Sequence, residues 1–298
     1  MKKKLIFYTV ALTAGLLTAC SSDDEQEQEP PVRHISVELN QRPMTSDDPA
    51  GARSTDTRSD ITTTETLSAF SMRGIYNSLT TNYTVSKSGG IWTVAPDTWP
   101  GGSENDNITP FYAFSQGEFL WNNDNPYISF SIAENASTQH DLLVAKNSVA
   151  YSDHVGKVSL TFDHACAALA FNVFMSNTLS TNLAGKTLTV SSIKLRNVSN
   201  TGKYYFESSS WNEVGGSAYY TLNNSDMDIT TTPKALSSNY LFVIPQTRAV
   251  NGTTGTYLDV TYTFSGQTKT SATIPLSVNW EAGKQYTINI KLGTTLIQ

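Results

Sequence analysis

The sequence predicts an all-β protein. Its 298 residues include 39% apolar residues, enough for a sizeable core, but only 15% charged residues, whereas typical domains have about 25%. The chain is rich in Thr, Ser, Tyr, Val and Ile, which favour strands. Short alternating apolar and polar segments recur every 8–15 residues or so, with Gly, Asn, Ser or Pro between them, and this is typical of antiparallel β-sandwiches. The net charge of −6 argues against nucleic acid as a partner.

Residues 1–19 are predicted to be a signal peptide. Three lysines precede an apolar stretch over residues 5–17, which is shorter than the roughly 20 residues that a membrane-spanning helix needs. The stretch ends in Leu17-Thr18-Ala19-Cys20, which resembles the lipobox of bacterial lipoproteins. The resemblance implies that Cys20 carries lipid. We therefore expect an exported lipoprotein that this lipid anchors to the outer membrane at the cell surface.

Residues 20–58 are predicted to hold a tether, the first strand and a cleavable loop. The acidic run at 21–31 lacks the apolar residues that a core requires, so we expect a disordered tether. Ile35, Val37 and Leu39 then alternate with polar residues, which indicates a half-buried strand. The polar stretch that follows contains Arg53 and Arg58 and is predicted to be a loop that proteases can reach.

The rest of the chain is predicted to form two β-sandwich domains, residues 59–155 and 156–298. The number of strands, about 16, exceeds what one sandwich core accommodates, and the division is placed at the turn over residues 151–156. The run at 165–174 fits a buried strand or a short helix, and its β-branched and aromatic residues favour the strand. In chain order, the strands predicted after the first are 67–76, 83–85, 91–94, 108–114, 127–132, 142–145, 158–162, 188–198, 204–206, 219–222, 240–245, 257–264, 270–275 and 286–292.

Residue types that carry catalysis or bind metals form no recognised pattern. The four histidines, His34, His140, His154 and His164, belong to no metal-binding motif. Residues 224–228 resemble a calcium loop only faintly, because its bidentate Glu is missing. His140-Asp141 is interpreted as the start of a strand. We therefore expect no metal, no cofactor and no enzymatic activity.

Cys166 lies two residues after His164, so a strand would place both side chains on one face. A nucleophilic pair of this kind needs a third group that orients the histidine, and the sequence does not indicate one. We therefore interpret Cys166 as a buried, inert thiol and His164 as a hydrogen-bonded packing residue.

The aromatic residues leave a second function open. Exposed aromatic faces stack on sugar rings, whereas buried aromatic residues dominate the cores of β-sandwiches. The five tryptophans are scattered along the chain, at Trp92, Trp99, Trp121, Trp211 and Trp280. The alternative function is therefore a monomeric, surface-anchored lipoprotein that binds glycans.

Several short motifs follow one another in a specific order. They are Thr57-Arg58, Trp99-Pro100, Phe111-Tyr112-Ala113-Phe114, Gln139-His140-Asp141-Leu142-Leu143-Val144-Ala145, Val158-Ser159-Leu160-Thr161-Phe162-Asp163-His164-Ala165, Ile193-Lys194-Leu195-Arg196-Asn197-Val198, Phe242-Val243-Ile244-Pro245-Gln246 and Trp280-Glu281-Ala282-Gly283-Lys284-Gln285-Tyr286. In this order, over residues 35–292, they resemble the fimbrillin family, the lipoprotein subunits of type V pili of Gram-negative anaerobes. The resemblance implies two transthyretin-like β-sandwich domains and a structural or adhesive subunit of a fimbria, with shaft and tip positions both open.

The resemblance also implies assembly by strand exchange with other fimbrial subunits. An Arg-specific protease would cut after Arg58, or alternatively after Arg53, and release the lipid together with the first strand. The groove left by that strand would accept a strand from the C-terminal region of another subunit. The candidates for this donor are the strand with Tyr286, Ile288, Ile290 and Leu292 on one face, or the tail containing Leu296 and Ile297. A ligand on host or bacterial surfaces is left open.

Overall fold

A computed structural model describes most of the chain after residue 30. The described residues are 31–46, 63, 65–122, 125–223, 225–237, 239–249, 255–264 and 270–294. Cys20, Arg53, Arg58, Leu296 and Ile297 lie outside them. The segment Val32–Gln298 forms one compact unit. None of the helices in the described ranges is long and apolar enough to cross a membrane.

The prediction of an all-β protein is confirmed. The helices described are short, α1 at Tyr151–His154 and α2 at Asn177–Leu183, with 3-10 turns at Gly102–Glu104 and Ala136–Thr138. The strands are β1 Ser36–Gln41, β2 Thr45–Ser46, β3 Ala69–Tyr76, β4 Leu79–Ser88, β5 Ile91–Ala95, β6 Thr109–Phe114, β7 Glu118–Asn122, β8 Asn125–Ser131, β9 Leu143–Val149, β10 Lys157–His164, β11 Ala167–Met175, β12 Leu188–Val198, β13 Thr201–Tyr205, β14 Ser210–Gly215, β15 Ala218–Asn223, β16 Met227–Ile229, β17 Lys234–Ala235, β18 Leu241–Val243, β19 Gln246–Arg248, β20 Thr256–Phe264, β21 Thr270–Leu276, β22 Val278–Trp280 and β23 Lys284–Leu292.

The first sheet has seven strands in the order β1-β10-β9-β6-β3-β4-β5. Its neighbouring strands are antiparallel except for β1, which runs parallel to β10. Although β1 and β5 are the two end strands, they approach each other, so the sheet curves around its core. That core consists of apolar side chains that alternate along the strands, including Phe70, Met72, Val85, Leu160 and Phe162.

The remaining strands form smaller sheets around a larger core. One has the order β17-β11-β23-β2, with β18 also on β11, and another has the order β15-β12-β20-β21, with β16 on β12. A third has the order β14-β13-β8-β7, and β19 pairs with β22. The run after residue 165 is the strand β11, as its β-branched and aromatic residues indicated. It is buried along nearly its whole length because its side chains belong to the larger core, and it pairs with β18 on one edge and with β23 on the other.

The strand pairing crosses the predicted boundary at residue 155. Strand β10 follows that position, yet it lies in the first sheet between β1 and β9. Strand β8 precedes the position, yet it pairs with β13 from the second half, Tyr127 opposite Tyr205. The sheets therefore do not divide where the turn at 151–156 suggested. The transthyretin-like form of each domain stays a prediction.

Candidate functional site at the N-terminal edge strand

Strand β1 lies at the edge of the first sheet. It pairs with β10 along its whole length, from Ser36 opposite Lys157 to Gln41 opposite Phe162. Among the described strands, β10 is the only one with which it forms a ladder. On its other side, the backbone hydrogen bonds that the structure describes lie just before the strand begins: the Ile35 N–H donates to the Asp97 carbonyl oxygen at 2.9 Å, and the Trp99 N–H donates to the Arg33 carbonyl oxygen at 2.8 Å. Within the described part of the chain, β1 is therefore an end strand with a ladder on one side.

The apolar face of β1 covers the core of the first sheet. Ile35 is buried, and Val37 and Leu39 are half-buried against the same cluster. The alternation in the sequence therefore identified the correct inward-facing residues. Complete burial of one such side chain contributes about 1.5–3 kcal/mol, and half-buried ones contribute less. This strip of three side chains, together with one ladder, holds β1 in place.

Arg33 anchors the chain just before β1. Its Nη1 donates to the Asn105 carbonyl oxygen at 2.7 Å and lies 3.5 Å from Asp106 Oδ1. Its guanidinium also lies 4.6 Å from the centre of the Tyr151 ring, a favourable cation–π arrangement. Sequence reasoning missed Arg33, because its partners are more than 70 residues away in the chain and no local pattern connects them.

Gly156 allows β1 to approach the turn before β10. The glycine has φ +77°, and a methyl group at its Cα would overlap the carbonyl oxygen of His34 and lie 2.8 Å from the Tyr151 ring. The Ser36 N–H donates to the Gly156 carbonyl oxygen at 2.9 Å. Only glycine combines this backbone conformation with so close an approach.

The end of β1 is held by a buried pair and by an exposed ion pair. Gln41 Nε2 lies 2.8 Å from His164 Nε2, and His164 Nδ1 is hydrogen-bonded to Asp141 Oδ2. The His164 and Asp141 side chains are almost completely buried. Burial raises the pKa of Asp141, and the hydrogen bond with His164 opposes that rise. At the surface, Arg42 Nη1 lies 2.6 Å from both carboxylate oxygens of Asp163.

Asp141 supplies the orienting group for His164 that the sequence did not reveal, yet the arrangement is unsuited to nucleophilic catalysis. Cys166 is completely buried. Burial raises the pKa of its thiol well above the usual range, and the nearby Asp141 charge adds to this rise. Because the thiolate is the nucleophile, both the burial and the raised pKa disfavour a reaction of Cys166 at neutral pH.

We expect Cys166 to resist thiol reagents in the folded protein. In a Cys20→Ser variant, Cys166 is the single cysteine. Labelling with a chromogenic disulfide at neutral pH should be at least about a hundredfold slower in the native protein than in urea, because both burial and the raised pKa oppose the reaction. Equal labelling rates in the two conditions would contradict the buried position.

The second segment of interest is the C-terminal strand β23. It pairs in parallel with β11, from Gln285 opposite Ala168 to Leu292 opposite Met175. Ile290 and Leu292 are buried, and Tyr286 and Ile288 pack half-buried against the larger core. On the other edge of β23, β2 pairs with its first two residues. The predicted donor residues are thus seated in their own subunit.

The tryptophans do not form one exposed cluster. Trp99 and Trp280 are buried, Trp92 and Trp211 are half-buried, and Trp121 is exposed. Among the described residues, there is no group of three or more His, Cys, Asp or Glu side chains that could hold a metal ion. The candidate functional site is therefore the groove beside β10 that β1 occupies, which we call the seat of β1.

Comparisons with known proteins agree with this architecture. The model of fimbrillin-like proteins matches residues 45–298. Similar solved structures include a fimbrial protein from Bacteroides vulgatus ATCC 8482, with 15% identity, a TM-score of 0.57 and coverage of 87% of this chain and 95% of that one. They also include a candidate cell adhesion protein from Bacteroides eggerthii DSM 20697, with 14% identity, a TM-score of 0.53 and coverage of 89% and 88%. At such low identity these likenesses show a shared fold.

The search of curated proteins found no match. The match to the family model is therefore the finding that decides the family, and it extends over far more than half of the sequence. The chain belongs to the fimbrillin-like family.

Proposed function

We propose that the protein is a subunit of a cell-surface fimbria, structural or adhesive, and that β1 is a replaceable strand. Family membership and the shared fold with a fimbrial protein support a pilus or adhesion subunit that assembles with other fimbrial subunits at the cell surface. The observation that carries the finer proposal is the edge position of β1, which forms one ladder with the strands described and has one apolar face.

Removal of β1 would create an acceptor groove. The backbone groups of β10 that now pair with β1 would lose their partners, from Lys157 to Phe162. The apolar side chains Val158 and Leu160 lie opposite Val37 and Leu39 and would lose their cover. An unpaired edge beside an apolar strip is a template for a strand from another chain.

Proteolysis between β2 and β3 would release the covering segment. Export as a lipoprotein would first anchor the subunit to the outer membrane through Cys20. A cut after Arg58, or after Arg53, would then separate β1 and β2 from the rest of the chain, because both strands precede these arginines. The same cut would remove the lipid anchor.

The C-terminal strand of another subunit matches the groove in its residue pattern. Tyr286, Ile288 and Ile290 repeat the spacing of Ile35, Val37 and Leu39, and in this register Lys284 takes the place of Arg33. In its own subunit, β23 is bonded to β11, so donation requires that this ladder open. The tail with Leu296 and Ile297 is the other candidate.

Treatment with an Arg-specific protease tests the proposal. The purified protein should be trimmed to a chain that begins at Ser59 and should then form filaments, seen by electron microscopy. The Arg53→Ala/Arg58→Ala variant should remain intact and monomeric under the same treatment. A wild-type chain that is trimmed at Ser59 yet stays monomeric by size-exclusion chromatography would contradict strand exchange.

A peptide of residues 33–41 provides a matched control for the groove. In excess over the trimmed protein, it should occupy the empty seat of β1 and block filament formation. A peptide with Ser at Ile35, Val37 and Leu39 keeps the backbone but loses the apolar face, and it should not block. Equal effects of the two peptides would argue against the groove as the acceptor.

A further inference from the structure

Three large apolar side chains are exposed together at one end of the first sheet. Leu79 is 72% exposed, Ile108 is 72% exposed and Val155 is 77% exposed. The register places them at the same end: Leu79 is opposite Tyr76 at the β3–β4 turn, Ile108 precedes β6, and Val155 precedes β10. We call these three residues the end patch. They lie at the ends of alternate strands, in the order β10, β6 and β4 across the sheet, over a width of about 20 Å.

Val155 has an unfavourable backbone conformation. Its φ of 49° and ψ of 51° lie in the left-handed region, which β-branched residues rarely adopt. Because its side chain is mostly exposed, packing within the subunit does little to offset this strain. Such strain is a reason to look for a function, and an exposed valine suggests a contact outside the subunit.

Strand β1 enters its seat at this same end. Ser36, the first residue of β1, is opposite Lys157, the first residue of β10, and Val155 comes two residues before Lys157. A strand that replaced β1 in the same direction would have to cross this end first. The body of the subunit that supplies the strand would then stand next to the end patch.

The acidic and aromatic side chains at this end favour a basic residue on the incoming strand. Release of the N-terminal segment would take Arg33 away from Asp106 and from the Tyr151 ring. An acidic side chain and an aromatic face would then be left beside the groove, and both favour a basic residue. In the register proposed above, Lys284 of the incoming strand arrives at this position.

We propose that the end patch is the docking surface for the body of the neighbouring fimbrial subunit whose strand fills the seat of β1. This inference rests on the proposed strand exchange. It adds a second contact that buries Leu79, Ile108 and Val155 when the strand is inserted. The contact also offsets the strain at Val155, because the side chain gains packing partners.

A set of three substitutions tests the docking surface. In the Leu79→Ser/Ile108→Ser/Val155→Asn variant, protease treatment should still expose Ser59, but filament growth followed by light scattering should slow by about tenfold or more, equivalent to roughly 1.4 kcal/mol. The matched control is Ile91→Ser/Tyr219→Ser, which removes two exposed apolar side chains elsewhere. Ile91 lies at the β4–β5 turn, at the opposite end of the first sheet. The control should keep the wild-type growth rate.

The outcomes separate this inference from the proposed function. If wild type is trimmed but forms no filaments, strand exchange itself fails. If wild type and the triple variant grow equally fast, strand exchange stands and the end patch is overturned as the docking surface. If the control slows as much as the triple variant, the effect is not specific to this end, and the inference is also overturned.

The single substitution Val155→Asn should change the stability of the monomer and the rate of filament growth in opposite directions. Asparagine adopts the left-handed conformation more readily than valine, so the Tm of the intact monomer should rise by about 1–3 °C. Filament growth should nevertheless slow, because the apolar contact is lost. A variant that merely damaged the fold would lower both quantities. An unchanged growth rate would overturn the role of Val155.

Discussion

Replacing His164 with Ala should lower the free energy of unfolding by about 3–5 kcal/mol, because it leaves the buried carboxyl group of Asp141 without its partner. Both side chains are almost completely buried, and the hydrogen bond between them connects the end of β10 to the segment before β9. The same substitution removes the contact of His164 with Gln41 at the end of β1. Urea unfolding at neutral pH, followed by fluorescence or circular dichroism, measures the change.

The pH dependence of this variant has a definite sign. Burial raises the pKa of Asp141, and the interaction with His164 opposes that rise. Without His164 the pKa should rise further, so the folded variant favours the protonated carboxyl group. A raised pKa gives stability that is present below the unfolded value, about 4 for Asp, and is lost as the pH rises through the folded value. The deficit relative to wild type should therefore be smaller at about pH 5 than at about pH 8.

Two controls distinguish the buried pair from its exposed neighbour. Arg42→Ala breaks the ion pair with Asp163, which is largely exposed, and should cost less than about 1 kcal/mol. Asp141→Leu/His164→Leu removes both partners and should recover part of the loss, because neither member of the buried pair is then left without the other. A His164→Ala deficit that is below about 1 kcal/mol, or that is equal at both pH values, would contradict the coupling.

The alternation of side chains predicted which face of a strand is buried, but not which strand lies beside it. Ile35, Val37 and Leu39 do face the core. Their partner β10 lies about 120 residues further along the chain, and the two strands are parallel. A period of two fixes the inward side chains only. The parallel edge, on which the proposed function depends, required the three-dimensional structure.

The predicted boundary at residue 155 does not coincide with a break in the strand pairing, for the same reason. The segment 151–156 does interrupt the strands, since it contains the short helix α1 and the glycine at 156. The interruption connects two strands of one sheet, β9 and β10, rather than two domains. Turn residues in a sequence show that the chain reverses or bends, whereas the sheet that each strand joins depends on long-range packing.

The buried pair shows how much of a site can be recognised from sequence. The sequence predicts a hydrogen-bonded packing role for His164 and a buried thiol for Cys166, and both predictions are confirmed. The sequence does not identify the partner of His164, because the pattern around Asp141 indicates only the start of a strand. The two residues meet through the packing of β9 and β10 and through no pattern in the sequence.

Gly156→Ala should loosen β1 in the intact protein. The new methyl group would overlap the backbone oxygen of His34, and the left-handed φ of +77° adds about 1–2 kcal/mol of strain for any L-residue with a side chain. The start of β1 would have to move away, and the hydrogen bond from the Ser36 N–H to the Gly156 carbonyl oxygen would be lost. Hydrogen exchange at the β1 amides should accelerate by about tenfold or more.

Gly90→Ala is the matched control for this effect. Gly90 has a φ of +83°, but a methyl group there would meet nothing within 4 Å. It therefore introduces the same backbone strain without the overlap, and it lies in the β4–β5 turn, away from β1. Exchange at the β1 amides should match wild type in this variant. If Gly156→Ala behaved like Gly90→Ala, the close approach at His34 would not be what seats β1.

Loosening β1 should accelerate filament growth less than cutting the chain does. In a Gly156→Ala/Arg53→Ala/Arg58→Ala variant, the strand stays covalently attached, and a tethered segment competes for its seat at an effective concentration of roughly millimolar. A strand from another subunit at micromolar concentration would rarely displace the tethered β1. We therefore expect slow filament growth in this variant and fast growth in the trimmed wild type. Proteolysis would turn the competing strand into a dilute free peptide. Growth that was equally fast in the uncut variant would show that the covalent attachment of β1 does not restrain assembly.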